Sequence, residues 1–155
     1  MRAKLLFLLI PVVILAACGK DKYETKPKLE LKEIKPSSKV VNQGEVLTFD
    51  FLVFDKEGDV KDSIFMETSH VGVPACGVPP DTLKYSIPAY PSTTNSKANF
   101  RIQFEYGTNN TGFVILSAAS CSPPRNDTSV FKFWVKDKGG NISDPVSTDR
   151  IVLIR

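Results

Sequence analysis

FRIQFEY, residues 100–106, decides the fold: Phe100, Ile102, Phe104 and Tyr106 alternate with Arg101, Gln103 and Glu105. A period of two places the apolar side chains on one face of a strand and the polar ones on the other, so one face meets a core and one meets water. Leu47, Phe49, Phe51 and Val53 alternate in the same way, as do Phe131, Phe133 and Val135, and Ile151 with Leu153. From residue 29 onward no stretch carries apolar residues at helical spacing, and the connections are rich in Gly, Pro, Asn and Asp. The spacing predicts an all-β domain over residues 29–155, with strands near 29–35, 45–55, 62–69, 82–88, 97–107, 112–118, 129–137 and 147–154.

Two turns extend this reading. FKFWVKDKGGNISDPVSTDRIVLI, residues 131–154, is an alternating strand, an Asp-x-x-Gly-Asn turn at Asp137–Asn141, and a closing strand with Thr148, Ile151 and Leu153. It resembles the last hairpin of bacterial Ig-like domains, and Asp55-Lys56-Glu57-Gly58-Asp59 resembles the earlier turn of Ig-like and cadherin-like repeats. The resemblance covers residues 29–155 and implies an Ig-like two-sheet antiparallel β-sandwich of seven to eight strands. Trp134 sits in the penultimate strand, outside the position of the antibody core tryptophan, and the scaffold hosts many functions.

The N-terminus carries an address. Arg2 and Lys4 precede a 13-residue apolar run, Leu5 to Ala17, which closes on Leu15-Ala16-Ala17-Cys18. The run is broken by Pro11 and is shorter than the roughly 20 residues a membrane-spanning helix needs. It resembles a bacterial lipoprotein signal peptide with its lipobox. The resemblance implies that residues 1–17 are cleaved and that Cys18 takes the diacylglycerol, which anchors the protein in a membrane. An ordinary signal cut nearby, leaving Cys18 a thiol, is the other reading. Residues 18–28 are polar and read as a flexible tether. The chain as a whole resembles lipoproteins of the Bacteroidota, which implies the cell envelope and the outer membrane. In those proteins acidic residues after the cysteine specify surface export; here Gly19 and Lys20 come first, so the leaflet stays open.

With Cys18 acylated, Cys76 and Cys121 remain, in the Pro-rich loops VPACGVPP and ASCSPP. An even pair in an exported protein reads as a disulfide, here one that staples loops rather than pinning the sheets. Two free thiols are the alternative. With His70 as the single histidine, a zinc set is the weaker reading. The net charge of +3 falls to +1 without Arg2 and Lys4, which leaves no basic field for nucleic acid.

Catalytic chemistry finds little support. A Ser-His-Asp plan depends on His70, and there is no Gly-x-Ser-x-Gly elbow, His-Glu-x-x-His or phosphate-cradling glycine loop. A hydrolase with paired carboxylates is the remaining enzymatic alternative, against acidic residues that sit in turns. Binding is the expectation. If the strand order places the two turns side by side, Asp55, Glu57, Asp59, Asp62, Asp137, Asn141 and Asp144 supply hard oxygen donors of the kind Ca²⁺ takes. Two solvated turns, with Lys56, Lys61, Lys136 and Lys138 offsetting the charge, are the plainer reading, and no other cofactor is implied. Trp134 points outward between Lys132 and Lys136, either as a stacking platform for a sugar ring with Tyr85 and Tyr90 as candidate companions, or packed beneath a lysine stem. Asp62-Ser63-Ile64 and Asp81-Thr82-Leu83 are similar to the O-glycosylation acceptor pattern of exported Bacteroidota proteins. These readings combine into a lipid-anchored binding or structural module without enzymatic activity, with a glycan or an envelope protein as partner and its oligomeric state open. Peptide mapping without reduction is expected to recover the Cys76 and Cys121 peptides joined; maleimide labelling of both would show two unbridged loops.

Overall fold

The computed structural model describes residues 24–60, 63–71, 81–87 and 93–155. Among them there are ten strands and no helix: β1 (Lys28–Lys35), β2 (Val40–Val41), β3 (Val46–Asp55), β4 (Ser63–His70), β5 (Asp81–Tyr85), β6 (Ser96–Tyr106), β7 (Val114–Leu116), β8 (Asp127–Lys136), β9 (Val146–Ser147) and β10 (Ile151–Leu153). They form two sheets, one ordered β1-β3-β6-β7 and the other β2-β10-β8-β4-β5, with β9 also on β8. The chain passes between sheets as early as the β1–β2 connection.

The inward rows follow from the pleat. On β3, Leu47, Phe49, Phe51 and Val53 are buried, and on β8 Phe131, Phe133 and Val135 are wholly so. The two rows meet across the sheets: Phe49 lies 5.4 Å from Phe131 and 5.0 Å from Phe133, ring centre to ring centre, and Phe51 lies 4.7 Å from Phe133 at 63°. Tilted and edge-on rings at these separations are the favoured aromatic geometry. Phe104 on β6 reaches both Phe49 and, from the opposite sheet, Tyr85. Outside the core, Asp50 receives both Nε and Nη2 of Arg101, its cross-strand partner, at 2.7 and 3.1 Å.

Both sheets are mixed, which corrects the antiparallel expectation. β7 lies parallel to β6, pairing Phe104 with Val114 and Tyr106 with Leu116, and β2 lies parallel to β10. The return to β7 is short because Glu105 gathers the connecting loop onto itself. Its carboxylate accepts the Asn110 N–H at 2.8 Å, the Thr111 N–H at 2.7 Å and the Thr111 hydroxyl at 2.6 Å, together with the Thr108 hydroxyl. Glu105 is therefore wholly buried, although the alternation of β6 puts it on the outer face. The strand expected at 147–154 is two strands. At the break between them, the Thr148 hydroxyl accepts the Phe131 N–H at 3.1 Å while its own N–H donates to the Phe131 carbonyl at 2.9 Å.

Phe49 touches both strand rows, so Phe49→Ala removes the common element of the core. It is expected to cost about 3–5 kcal/mol, read as a lower denaturant midpoint; a loss below about 1 kcal/mol would show that the aromatic contact between the sheets is not what holds them.

Candidate metal centre

The core row of β3 does not stop at Val53. One more step of the same alternation brings Asp55 inward, and it is 0% exposed. The core row of β8 likewise continues beyond Val135 to Asp137, which is 5% exposed. Both strands thus deliver a carboxylate to the same end of the core, where burial of an ionised group needs compensation.

Asp55 organises the turn that follows it. Its Oδ2 accepts the Asp59 N–H at 2.5 Å and the Val60 N–H at 3.2 Å. Gly58 occupies the left-handed region at φ +69°, and a Cβ there would overlap the Thr93 carbonyl oxygen of the neighbouring segment. Only glycine satisfies both constraints. Asn95 N–H donates to the Lys56 carbonyl at 2.8 Å and ties that segment to the turn. The second turn is built alike: Asp137 Oδ1 accepts the Asn141 N–H at 2.7 Å, and Oδ2 accepts the Asn141 side-chain amide at 2.8 Å.

The result is a group of three acids. One carboxylate oxygen from each of Asp55, Asp59 and Asp137 lies within 4.8 Å of the other two. Among the described residues, Asp55 Oδ1 and Asp59 Oδ1 are buried and receive no hydrogen bond, and no ion pair reaches any of the three acids. Burial, followed by the charges of Asp137 and Asp55, pushes the Asp59 carboxyl above its usual range. Asn141 serves as a donor to Asp137. Asp144 stands apart, exposed and 2.6 Å from Lys26, and Glu57 is exposed. Asp62 lies outside the described residues, as do Cys18, Cys76 and Tyr90. Cys121 is not a free thiol.

The other candidates resolve differently. Trp134 is half-buried on the outer face, stacked on Phe65 at 5.6 Å and 4°, with Lys132 Nζ 5.8 Å from its ring centre. Tyr85 is not its companion: that ring packs inward on Phe104, and burial pushes its hydroxyl up to about 12. Phe65 was legible as the outward residue between Ile64 and Met66, directly opposite Trp134 in the sheet.

At the far end of the core His70, Asp127 and Ser129 do meet. Asp127 Oδ2 lies 2.7 Å from His70 Nδ1 and 3.2 Å from Ser129 Oγ, and it also accepts the Ala119 N–H at 2.9 Å. Ser129 Oγ is 3.2 Å from the same Nδ1. An acyl-transfer triad needs the acid on Nδ1 and the nucleophile on Nε2. Here both address one nitrogen, so His70 is not placed to take the proton of Ser129 while Asp127 orients it. The cluster is a buried polar bond between β4 and β8.

No family model matches the chain, and no curated protein does. Among solved structures it is similar to an alkylpurine DNA glycosylase, AlkC, of Pseudomonas fluorescens bound to DNA containing an abasic-site analogue, at 11% identity and a TM-score of 0.48 over 85% of this chain and 31% of that one. It is also similar to the sporulation control protein Spo0M of Bacillus subtilis, at 10% identity and a TM-score of 0.43 over 84% and 50%. A β-glucosidase of Listeria innocua in complex with glucose gives 11% identity and a TM-score of 0.42 over 84% and 16%. The match spans half or less of each of these chains, and likenesses this distant carry no argument about this one.

The donors around Glu105, first the Thr108 and Thr111 hydroxyls, hold its carboxyl down at about 2 from an ordinary 4.5. A folded value below the ordinary one means stabilisation that is fully present above about pH 4.5 and is lost as pH falls towards about 2. Glu30, between Lys28 and Lys32, titrates in the same window, so the informative quantity is the difference from wild type. Glu105→Gln is expected to melt lower at pH 7 and to lose less than wild type between pH 4.5 and 2; parallel melting curves across that range would assign the loop's order to other contacts.

Proposed function

We propose that this protein is a lipid-anchored lipoprotein of the bacterial cell envelope whose single Ig-like domain acts as a binding or structural module and not as an enzyme. The Leu15-Ala16-Ala17-Cys18 string behind a short apolar run carries the reading, with the polar stretch to residue 28 as the tether. Two sheets sharing one aromatic core, with the chain crossing between them after β1, support the Ig-like assignment. Asp127 and Ser129 address the same nitrogen of His70, which argues against an acyl-transfer triad at that position. The outer membrane is the proposed site of anchoring, and the proposed Cys76–Cys121 bridge stiffens two loops of the exported domain.

A glycan-binding role is the second reading, favoured by one observation: Phe65 and Trp134 form a parallel aromatic pair on the outer face of β4 and β8. Sugar rings stack on such flat apolar surfaces through their C–H faces. Loss of polysaccharide retention in Trp134→Ala, with melting unchanged, is the outcome this reading expects.

Mass spectrometry of the membrane fraction is expected to find Cys18 as an acylated first residue. Cys18→Ala is expected to abolish processing at that position and release the protein from the membrane. Normal processing and retention of that variant would contradict the anchor.

A further inference from the structure

We propose that Asp55, Asp59 and Asp137 bind one Ca²⁺ ion at the end of the core where β3 and β8 run out. The proposal does not depend on the lipid anchor or on the Ig-like assignment. It stands on two observations that are independent of one another.

The first is geometric. The three carboxylates come from two turns far apart in sequence, and an oxygen from each lies within 4.8 Å of the others. Ca²⁺ holds its oxygens at about 2.3–2.6 Å, so ligands on opposite sides of one ion stand about 5 Å apart, and all three can reach a single ion. The second is an unmet polar demand. Asp55 is 0% exposed and its Oδ1 has no donor among the described residues, while Asp59 Oδ1 is also buried and unpaired. The other two wholly or almost wholly buried acids differ. Glu105 is surrounded by loop donors, and Asp127, although its Oδ1 also lacks a donor, has His70 beside it, whereas among the described residues no Lys, Arg or His reaches Asp55, Asp59 or Asp137.

The donor set selects the ion. Three carboxylates with no cysteine or histidine among them favour a hard cation over zinc or copper, whose sites draw on imidazole and thiolate. Between the hard ions, Mg²⁺ demands a near-ideal octahedron at about 2.0–2.1 Å, whereas Ca²⁺ accepts six to eight oxygens in irregular arrangement. A site assembled from two separate turns fits the second description. The fixed partners of the acids shape it further: main-chain N–H groups hold Asp55 Oδ2, and Asn141 holds both oxygens of Asp137. The carboxylates are therefore oriented before any ion arrives, which lowers the entropic cost of binding. Ca²⁺ would neutralise the mutual repulsion of the three charges and cross-link the end of one sheet to the end of the other.

Calorimetric titration of the full chain in detergent, stripped with chelator and then given CaCl₂ at pH 7.5, tests this directly. One ion per chain is expected, with an affinity in the range of about 10⁻⁴–10⁻³ M typical of extracellular Ca²⁺ modules, or tighter. A melting temperature that rises with CaCl₂ and rises less with MgCl₂ is expected alongside it. Asp59 is the partly exposed member, so Asp59→Asn keeps the buried framework intact, and Asp59→Ser serves as a second variant. Each is expected to melt higher than wild type in chelator, because one repelling charge is gone, and to bind Ca²⁺ at least tenfold more weakly. Opposite signs with and without the ion would not arise from a purely structural role. Absence of heat and of any melting shift in wild type up to about 10 mM CaCl₂ would overturn the proposal, as would unchanged binding by the Asp59 variants.

Discussion

Contact of Phe49 and Phe51 from one sheet with Phe131 and Phe133 from the other is the interaction on which the rest of the structure depends. Register in a strand is two-fold, so once these rings face inward every second residue of β3 and β8 is committed to the core side. That commitment runs to both ends of β8. It buries Asp127 and Ser129 at one end and leads to Asp137 at the other, while the same parity on β3 leads to Asp55. The polar clusters are thus consequences of aromatic packing in the middle of the strands.

Each buried acid is met in its own way. Asp127 faces His70 on the adjacent strand, with a main-chain N–H from Ala119 behind it. Glu105 lies on the opposite side of its strand from the core and is buried because residues 108–111 fold over it with their own donors. This turns what looks like a hairpin into a parallel return to β7. Asp127 keeps one oxygen without a donor, but the acids at the other end differ in that no Lys, Arg or His reaches them among the described residues. Main-chain donors satisfy Asp55 Oδ2, Asn141 satisfies Asp137, and two further oxygens are left over. This incompletely met charge cluster is where the proposed Ca²⁺ would sit.

The long alternating runs were legible because a period of two needs no knowledge of the partner strand. β3, β6 and β8 fall within two residues of the spans that the runs Leu47 to Val53, Phe100 to Tyr106 and Phe131 to Val135 imply, and β1 and β4 lie within one residue of the spans expected at 29–35 and 62–69. β2 was not legible: two residues, Val40 and Val41, become a strand only because β10 passes beside them. The burial of Glu105 and the parallel course of β7 depend on a loop closing over a side chain, which alternation does not encode. Asp55 and Asp137 show the limit in a different form. They look like turn formers by residue type, yet each continues the inward parity of its strand, and their approach to Asp59 depends on a juxtaposition of two turns more than seventy residues apart.

Packing of Phe49 and Phe51 against Phe131 and Phe133 makes the two sheets a single cooperative unit. Native-state amide hydrogen exchange, residue by residue, measures this most directly. Amides of β3 and β6 in one sheet and of β4 and β8 in the other are predicted to exchange at one shared opening free energy, equal to that of global unfolding. A β1-β3-β6-β7 sheet that opens at markedly lower free energy while β4 and β8 stay protected would contradict the account.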